Sequence, residues 1–559
     1  MTVSDADWLD LDQRSRPVDG TQVPAQNRRA TDSPSMTLLV LVATIGLLAY
    51  ATFLLNPAHR GDTIGYLLVI SAESILMLQA LLSLWTILSS GYEPRGFRFH
   101  DALDRLYDDS EILDGRTGND PSAWTLHLHT APVSVDVFVT TYGESIEVIR
   151  RTVAAAVAMH GRHTTYVLDD GKSDAVRDAA AELGAGYLRR ATNEGAKAGN
   201  INHALAETTG DLFVIFDADF VPQSNFLHET IPFFADQEVA FVQTPQHYGN
   251  LTSLISRGAG YMQSVFYRLI QPGKNRFNAA FCVGTNVVFR RRAIAEIGGI
   301  YQASKSEDVW TSILLHEKGW TSIYIPTVLA TGATPETIED YAKQQLRWAT
   351  GGFEILLRHN PFSPKRSLTL DQRLQYFGTG TFYLTGIVPL LLLLVPPLQI
   401  YFDVHPVNLD VTTGTWLLYY GGFYLMQILV AFYTVGSFRW ETLMLATVSF
   451  PIYTKALVNV VLRRDQAWHV TGGSRRASSP FNVIVPQVLF FVFLLATTAV
   501  GTWKDLGNGT FTLALAWNAT NTVVLGVFVA TAFREHHALR RAARVQRATA
   551  RNTKMGVAA

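Results

Sequence analysis

Two aspartates on alternate positions follow a fully apolar segment, and their spacing is suited to binding a metal ion. Asp217 and Asp219 come directly after Phe213–Phe216, which places both carboxylates at the end of a predicted buried strand. Hard divalent cations prefer oxygen ligands and commonly bridge a few carboxylates to the phosphates of a substrate. An Asp-Ala-Asp sequence by itself also suits a solvated turn or a helix cap. The apolar strand in front of it favours a site for Mg²⁺ or Mn²⁺ on a diphosphate.

A lysine-containing stretch and a second acidic group could contribute to the same chemistry. Residues 194–200 open a helix with exposed backbone amides and Lys197, which suits a phosphate; a surface loop with a solvated lysine is the alternative. Their glycine spacing matches neither a P-loop nor a dinucleotide fingerprint. Ser306, Glu307 and Asp308 precede another helix, where Asp308 could act as a general base. The same residues also make a good helix start with the serine as cap, and the two interpretations are compatible.

These side chains must be positioned by an alternation of short β-branched segments and helical stretches. The sequence predicts a parallel sheet, covered by helices on both faces, in a globular domain over residues 95–335. The predicted strands are Val133–Thr140, Thr164–Leu168, Leu212–Phe216 and Val239–Gln243, and the predicted helices are Ile146–His160 and Asp174–Leu183. In such sheets ligands bind outside the carboxyl ends of the strands. Asp169 and Asp170 lie at such an end, as do Asp217 and Asp219, whereas Asp136 lies within the first strand.

Apolar residues are concentrated on both sides of this domain. The 559-residue chain is 48% hydrophobic and 17% charged, which is rich in apolar residues for a soluble protein. Its net charge of −1 gives no field that would favour nucleic acid as a partner. The single cysteine, Cys282, excludes an intrachain disulfide and is interpreted as a small buried residue rather than a reactive thiol.

Six apolar segments are long enough to cross a bilayer. They are Met36–Leu55, Ile64–Leu88, and residues 378–402, 411–437, 481–503 and 511–533. The second segment contains Glu73, which we expect to face another helix or a polar cavity. Trp440–Val461 is also apolar, but Glu441, Pro451 and Lys455 interrupt it, which favours an interfacial helix over a seventh span.

Basic residues indicate the orientation of these spans. Arginines precede the first span and follow the last, whereas the short loops near 57–63, 403–413 and 504–508 carry few positive charges. The positive-inside rule therefore predicts a multi-pass protein of the cytoplasmic membrane whose termini and globular domain are cytoplasmic. Thr337–Leu357 is interpreted as an amphipathic helix at that membrane surface, with Trp348 at the headgroup level.

These expectations divide the chain into eight segments. In order, they are a disordered cytoplasmic tail (1–35), two spans (36–90), the catalytic domain (95–335), interfacial helices (336–376), two spans (377–438), an interfacial helix with a loop (439–480), two spans (481–533) and a basic cytoplasmic tail (534–559).

The order of the motifs along the chain is similar to that of a known family. The motifs are Val135-Asp136 with Thr141 to Glu144, Asp169-Asp170-Gly171, Lys197 to Asn200, Asp217-Ala218-Asp219, Gly284-Thr285-Asn286, Ser306-Glu307-Asp308 and Gln344-Gln345-Leu346-Arg347-Trp348. In this order they resemble the processive family 2 glycosyltransferases, especially bacterial cellulose synthase catalytic subunits, over about residues 95–480. The resemblance implies a GT-A domain, with a mostly parallel sheet, docked on a membrane channel that exports the polysaccharide it extends.

The resemblance also implies a role for each matching residue. The nucleotide-binding residues would be Thr141, Tyr142, Glu144, Asp169, Asp170, Lys197, Asp217 and Arg347, and the ligands of Mg²⁺ or Mn²⁺ would be Asp217, Asp219 and His247. The acceptor-binding residues would be Glu307, Gln344, Arg347 and Trp348, with Asp308 as the catalytic base. Trp468, Val470 and Thr471 resemble a gating loop that closes over bound nucleotide. An ordinary loop histidine is the alternative for His247.

The activity that the resemblance implies is inverting, processive transfer from a UDP-sugar, with UDP-glucose and a β-linked glucan as the leading expectation. The implied partners are the UDP-sugar donor, the growing polysaccharide, the lipid bilayer and an accessory export subunit. A chitin- or hyaluronan-type synthase using UDP-N-acetylglucosamine, or a membrane enzyme that adds a single sugar, is the alternative. A transporter or receptor with a degenerate cytoplasmic domain is disfavoured because the acidic series is intact.

This chain departs from the family pattern at a few positions. Ser306 replaces the usual threonine, the cysteine of Phe281–Thr285 is shifted by one position, and glycines follow Thr471 where a lysine is usual two positions on. These departures put the identity of the sugar and the gating in doubt. About 26 residues follow the last predicted span, so we expect the cyclic-di-GMP-binding barrel of many cellulose synthases to be absent.

Overall fold

The globular part of the chain is built on a seven-stranded sheet. The computed structural model describes residues 34–108, 120–435, 439–464 and 479–556. The strands of the sheet are β1 (Val135–Thr141), β2 (Thr164–Asp169), β3 (Gly186–Leu188), β4 (Leu212–Asp217), β5 (Val239–Gln243), β6 (Val287–Arg290) and β7 (Thr321–Tyr324). Their spatial order is β7-β5-β6-β4-β1-β2-β3. Strand β6 runs antiparallel to both of its neighbours and every other pair is parallel, which confirms the predicted mostly parallel α/β fold.

Both faces of the sheet are covered, as predicted. Successive residues of a strand point to opposite faces, and in β1 this sends Val137 and Val139 into one core and Phe138 into another. Strand β4 divides in the same way, with Val214 in the first core and Phe213 in the second. A sheet buried on both sides explains why these strands are continuous apolar runs rather than alternating ones.

Helices make up most of the remaining described residues. They are α1 (Pro34–Leu55), α2 (Thr63–Leu88), α3 (Phe97–Asp104), α4 (Ile146–Val157), α5 (Asp174–Glu182), α6 (Ala196–Glu207), α7 (Phe226–Thr230), α8 (Leu254–Val265), α9 (Gln271–Arg276), α10 (Arg291–Glu296), α11 (Glu307–Glu317), α12 (Ile338–Arg358), α13 (Leu370–Thr381), α14 (Val388–Phe402), α15 (Thr413–Trp416), α16 (Gly422–Val435), α17 (Trp440–Val448), α18 (Phe450–Val461), α19 (Val485–Asn508) and α20 (Leu513–Gly556). Two-residue strands pair at 127–128 with 131–132, and Ala330–Gly332 pairs with Val221–Pro222 and His247–Tyr248.

The helices that carry predicted site residues begin close to the predicted positions. Helix α12 begins at Ile338, one residue after the predicted start, because the Thr337 side chain accepts a hydrogen bond from the Asp340 amide and caps it. Helix α11 follows Ser306, but the Ser306 side chain makes no capping hydrogen bond. The serine therefore marks the start of α11 without acting as the predicted side-chain cap.

Among the described residues, five continuous helical segments are long and apolar enough to cross a membrane. They are Pro34–Leu55, Thr63–Leu88, Thr413–Tyr433, in which the π-helical turn Leu417–Gly421 joins α15 to α16, Val485–Asn508 and Leu513–Arg544. The predicted span at 378–402 is instead part of a bent pair, in which Leu370–Leu384 and Val388–Phe402 meet at 42°. Pro389 in the first turn of α14 explains the break, because proline has no amide hydrogen to continue the preceding helix. Counting this pair as one span gives the predicted six.

A second bent pair coincides with the predicted interfacial helix. Helices α17 and α18 meet at 41° next to Ser449, and together they are also long and apolar enough to form a seventh span. The interfacial interpretation stays a prediction. Glu73 in α2 is fully buried and accepts a hydrogen bond of 3.0 Å from the Tyr424 hydroxyl of α16, as expected for a carboxylate that faces another helix.

The structure describes most of the predicted C-terminal tail but almost none of the predicted N-terminal tail. The last helix, α20, continues without a break to Gly556, so the predicted basic tail at 534–559 is helical over most of its length. The predicted disordered tail lies almost entirely outside the described residues, because these begin at Pro34.

The first aspartate of the sheet, Asp136, lies at the edge opposite the other acids. It pairs in register with Phe213 at the start of β4, whereas Thr140 pairs with Asp217 at the end of β4, about 13 Å along the strand. Asp136 is buried and its Oδ2 accepts hydrogen bonds from Arg291 Nη2 at 2.7 Å and from the Gly210 amide at 2.8 Å. Asp136 therefore joins β1 to the start of α10.

Replacing Asp136 should destabilise the domain without changing ligand binding. Asp136→Ala leaves the Arg291 guanidinium without its carboxylate, and breaking a buried pair in this way costs about 3 kcal/mol of unfolding free energy. Thermal unfolding of the full chain in detergent measures the effect. The matched control is Asp211→Ala, an exposed carboxylate at the same edge, which should change the melting temperature far less. Equal melting temperatures for the two variants would contradict this role for Asp136.

Candidate functional site

One cavity of about 680 Å³ opens at the carboxyl edge of the sheet. It lies where loops after β1, β2 and β4 meet the starts of α6, α11 and α12. Most of the predicted site residues line it: Thr141, Tyr142, Glu144, Asp170, Lys197, Asp217, Asp219, Glu307, Asp308, Gln344, Arg347 and Trp348. Residues that lie up to about 200 positions apart in the chain are thus brought to one place.

Lys197 connects the end of β4 to the far wall of the cavity. Its ammonium group donates hydrogen bonds to Asp217 Oδ1 and, at 2.7 Å, to the Gly284 carbonyl. The Thr140 hydroxyl also donates to Asp217 Oδ1 at 3.1 Å. Burial lowers the pKa of Lys197, but the nearby carboxylates, led by Asp217 and Glu307, outweigh it and the net pKa is raised. Lys197 is therefore a firmly charged cation inside the cavity.

Asp219 lies among other acids and is only weakly compensated. Burial, reinforced by repulsion from Asp217 and then Glu144, raises the pKa of Asp219 to about 7, and Lys197 offsets this only in part. The pKa of Glu144 is raised as well, chiefly by burial, although its carboxylate accepts a hydrogen bond of 2.7 Å from the Tyr142 amide. Oxygen ligands that repel one another in this way are suited to a bound divalent cation.

A second acidic pair stands at the start of α11. Burial raises the pKa of both Glu307 and Asp308, while Lys197 and Arg347 act in the opposite direction. The Asp308 Oδ1 atom accepts a hydrogen bond of 2.8 Å from the Val309 amide. A partly buried carboxylate with a raised pKa is suited to accept a proton from a bound hydroxyl group.

Gly284 allows the second acidic pair and Lys197 to approach each other. Its φ of +86° is a left-handed conformation that residues with a side chain rarely adopt. A Cβ atom on Gly284 would lie 3.5 Å from Asp308 Oδ2 and 3.6 Å from Lys197 Nζ. Both atoms therefore flank the same backbone position, which links the base candidate to the lysine that contacts Asp217.

The two adjacent aspartates after β2 have different surroundings. Asp169 does not line the cavity; its carboxylate accepts hydrogen bonds from the Gly171 and Ser173 amides, at 2.8 and 2.7 Å, and from Tyr187. Asp170 does line the cavity, and it forms a two-point pair with Arg190 at 2.7 and 2.6 Å. Asp169 thus organises the loop, and Asp170 reaches the cavity.

Helix α12 forms the wall of the cavity nearest to the membrane helices. Arg347 and Trp348 lie three and four residues after Gln344, so both share a face with it, and this face lines the cavity. The neighbouring Gln345 points elsewhere, because its Oε1 accepts a hydrogen bond of 2.8 Å from the Tyr453 hydroxyl of α18. This bond connects the wall of the site to the bent helix pair α17–α18.

The start of α11 packs directly against the middle of α12. A Cβ atom on Gly351 would lie 1.8 Å from Ser306 Oγ and 2.4 Å from Ser306 Cβ. A glycine is therefore required at 351 for the two helices to approach this closely. The contact fixes the position of Asp308, two residues after Ser306, relative to Arg347 and Trp348, one turn before Gly351.

The predicted three-residue metal set is not assembled. His247 is exposed and does not line the cavity. Among the described residues no group of three or more His, Cys, Asp or Glu side chains is arranged to hold a metal ion. Asp217 and Asp219 remain as the candidate pair. The predicted gating residues Trp468, Val470 and Thr471 lie outside the described residues.

Several cavity residues have no counterpart in the sequence prediction. They are Asn193, Gln246, Tyr248, Asn250, Glu336 and Asp340, together with Arg190 behind Asp170. Tyr248 and Gln246 share a hydrogen bond of 2.7 Å, and Gln246 donates to the Val283 carbonyl at 3.2 Å. The alternation of Gln246, Tyr248 and Asn250 after β5 is the one sequence signal that could have indicated them.

Cys282 is buried, as the composition indicated. Its sulfur accepts a hydrogen bond of 3.3 Å from the Gly284 amide, and its side chain belongs to one of the two cores of the sheet. Burial, with the nearby Asp308 carboxylate, raises the pKa of the Cys282 thiol well above its ordinary value. The thiol is thus kept protonated and away from the cavity.

Ionisation of Glu307 should lower the free energy of unfolding as the pH rises, because the pKa of Glu307 is raised in the folded protein. Such a carboxylate destabilises the fold as pH rises from about 4.3, its unfolded value, through its folded value. Glu307→Gln should therefore leave the melting temperature nearly unchanged at pH 4 and raise it increasingly up to pH 8. Glu238→Gln, at an exposed loop position, is the matched control and should show no such trend. Parallel pH profiles for wild type and Glu307→Gln would contradict the assignment.

Comparison with known proteins places this site in a family. Residues 132–351 match the model for "Glycosyltransferase like family 2", and residues 294–448 match the model for "Cellulose synthase". Cellulose synthase 2 of Novacetimonas hansenii is 30% identical over 436 residues, covering 74% of this chain and 27% of that protein. The UDP-forming cellulose synthase catalytic subunit of Xanthomonas axonopodis pv. citri is 35% identical over 282 residues, covering 47% of this chain and 38% of that protein.

The chain thus spans well under half the length of these relatives. A mannosyltransferase from Pyrobaculum calidifontis, solved with GDP-Man and Mn²⁺, has a TM-score of 0.46 and 16% identity, covering 70% of this chain and 99% of that one. The two family models together cover the whole of the cavity wall from β1 to α12 and continue into α17. The chain therefore carries a glycosyltransferase family 2 domain, and it is similar to the bacterial cellulose synthases.

Proposed function

We propose that this chain transfers glucose from UDP-glucose to the end of a growing β-linked glucan and passes the product into the membrane. The observation that carries the proposal is the convergence of Asp219, Asp308 and Trp348 on one cavity beside the membrane helices. In a soluble transferase with a small acceptor, the wall of the cavity would not need to contact helices that are apolar enough to cross a membrane.

The donor occupies the side of the cavity formed by the ends of β1, β2 and β4. Tyr142 and Asp170 face the uracil and ribose, and Lys197 contacts the diphosphate. Asp217 and Asp219 are the residues that would hold Mg²⁺ or Mn²⁺, and the repulsion between them fits this role. The bound cation would neutralise the diphosphate as it leaves.

The acceptor occupies the side formed by α11 and α12. The indole of Trp348 provides a flat face for the terminal sugar, and Gln344 offers an amide for its hydroxyl groups. Asp308 takes the proton of the attacking hydroxyl, while Lys197 and Arg347 stabilise the charge that develops on the departing UDP. Direct attack with Asp308 as base inverts the configuration at the transferred carbon and requires no covalent enzyme intermediate.

The membrane arrangement follows from the position of α12. Its Tyr341 hydroxyl shares a hydrogen bond of 3.0 Å with Ser449, and its Gln345 is bonded to Tyr453. The acceptor wall therefore lies directly on the bent pair α17–α18, which we place at or in the membrane. We place the catalytic domain and both termini on the cytoplasmic side, where UDP-sugars are available and where the basic flanks of the spans are expected.

Donor use and the role of Asp308 can be tested in one assay. Purified full-length protein with Mg²⁺ should convert radiolabelled UDP-glucose into high-molecular-weight product and release UDP. Asp308→Asn should reduce the transfer rate by about 10²–10⁴-fold while UDP still binds, because only the base is lost. Asp371→Asn is the matched control, since Asp371 is also the second residue of a helix but is exposed.

The outcomes of this assay separate the candidate functions. If polymer forms only from UDP-N-acetylglucosamine, the donor is that sugar nucleotide rather than UDP-glucose. A short lipid-linked product would indicate that the enzyme adds a single sugar rather than making a polymer. Near-normal polymer yield from Asp308→Asn would remove Asp308 as the base. The absence of UDP release with every donor would contradict a glycosyltransferase activity.

The contact between Gly351 and Ser306 gives a prediction about the acceptor side. Gly351→Ala forces the two helices apart, and a displacement of about 1 Å at the base can reduce kcat by about 100-fold. Adding Ser306→Gly removes the two clashing atoms and leaves Ser306 Cα at 3.4 Å, so the double variant should recover much of the activity. Gly422→Ala, where no atom lies within 4 Å, is the control. A double variant as inactive as Gly351→Ala would contradict this mechanism.

A further inference from the structure

One turn of the last helix contacts the first residue of the helix that forms the acceptor wall. The carboxylate of Glu535 in α20 accepts a hydrogen bond from the Ile338 amide, at 3.1 Å to Oε2 and 3.4 Å to Oε1. These residues are separated by 197 positions in the chain. Neither the motif series nor the proposed chemistry assigns a role to Glu535.

This contact provides a hydrogen-bond acceptor for an amide at the start of α12. The first amides of a helix have no partner within the helix. The Thr337 side chain satisfies the Asp340 amide at 3.1 Å, and Glu535 satisfies the Ile338 amide. A carboxylate at a helix start is also favoured by the helix dipole. The local sequence contributes one part of the cap, and α20 contributes the other.

The same turn of α20 is itself held in place on the other side. The His536 ring nitrogen Nδ1 and Ser479 Oγ share a hydrogen bond of 2.9 Å. The Phe481 ring lies 4.8 Å from the Phe533 ring and 5.7 Å from the His536 ring, measured between centroids. Glu535 is therefore presented to α12 by a turn that is packed against the segment leading into α19.

We propose that Glu535 is a positioning residue for the acceptor wall, which it sets by capping α12 from the last helix. The proposal rests on the proposed function. Helix α12 is held at three further places, by Ser449 at Tyr341, by Tyr453 at Gln345 and by Ser306 at Gly351. Glu535 fixes the end of the helix that is most distant from Gly351, about 20 Å away at 1.5 Å per residue.

The geometry predicts which contacts depend most on Glu535. If the start of α12 is released, the residues nearest to Ile338 lose the most restraint, because Tyr341, Gln345 and Gly351 still hold the rest of the helix. Of the acceptor residues, Gln344 lies six residues from Ile338, Arg347 nine and Trp348 ten, so Gln344 should be displaced most. Loss of the cap should therefore impair the placement of the acceptor end more than the binding of the donor.

The test compares three variants of the full-length protein. Glu535→Ala removes the acceptor atom, Glu535→Gln keeps an oxygen that can accept from Ile338, and His537→Ala changes an exposed residue of the same turn. Glu535→Ala should lower the kcat for polymer about tenfold, with the KM for UDP-sugar changed less than about twofold, and should increase UDP release without polymer. Glu535→Gln should keep most of the activity, and His537→Ala should match wild type.

A second measurement does not depend on catalysis. Hydrogen exchange of the amides at 338–344 should be faster in Glu535→Ala than in His537→Ala. Equal exchange and equal kcat in these two variants would overturn the positioning role, as would a Glu535→Gln variant as impaired as Glu535→Ala. A wild-type protein that turns over no sugar nucleotide would overturn the proposed function instead, which the wild-type assay reveals before any variant is compared.

Discussion

The site depends on the close packing of Gly351 against Ser306. These two residues bring the start of α11, which carries the acidic pair, into contact with the middle of α12, which carries the acceptor wall. Because a packed interior transmits small displacements, the distance between Asp308 and Trp348 is set by this contact rather than by the segment of 20 residues that connects the two helices. The sheet edge positions the remaining acids, and α12 joins that edge to the membrane helices.

Several carboxyl groups around the cavity destabilise the folded state when they are ionised, and the rest of the fold must offset this free energy. Burial raises the pKa of Glu144, Asp219, Glu307 and Asp308, so each of them opposes folding when it is ionised at neutral pH. Lys197 counters part of this destabilisation. Residues that serve function at the expense of stability are common at active sites, and the extensive double-faced core around the sheet provides the compensating free energy.

The limits of sequence prediction are clear at particular residues. The long apolar strands could be predicted because both faces of the sheet are buried, whereas β3, β6 and β7 have only three or four residues each and gave too short a pattern. Asp169 and Asp170 are indistinguishable in sequence, yet adjacent residues at a strand end point in opposite directions, and only Asp170 reaches the cavity. His247 lies outside the cavity for the same reason, since its neighbour Tyr248 takes the inward position.

The same alternation bears on the choice of donor sugar. The shifted cysteine of Phe281–Thr285 suggested that the product is decided there, but Cys282 points into a core and does not face the cavity. Its neighbour Val283 does line the cavity, and the Val283 carbonyl is held by Gln246, which in turn is bonded to Tyr248. We therefore expect discrimination between a hydroxyl and a bulkier N-acetyl group to depend on the wall formed by Gln246 and Tyr248, and the cysteine to affect it only through packing behind that wall.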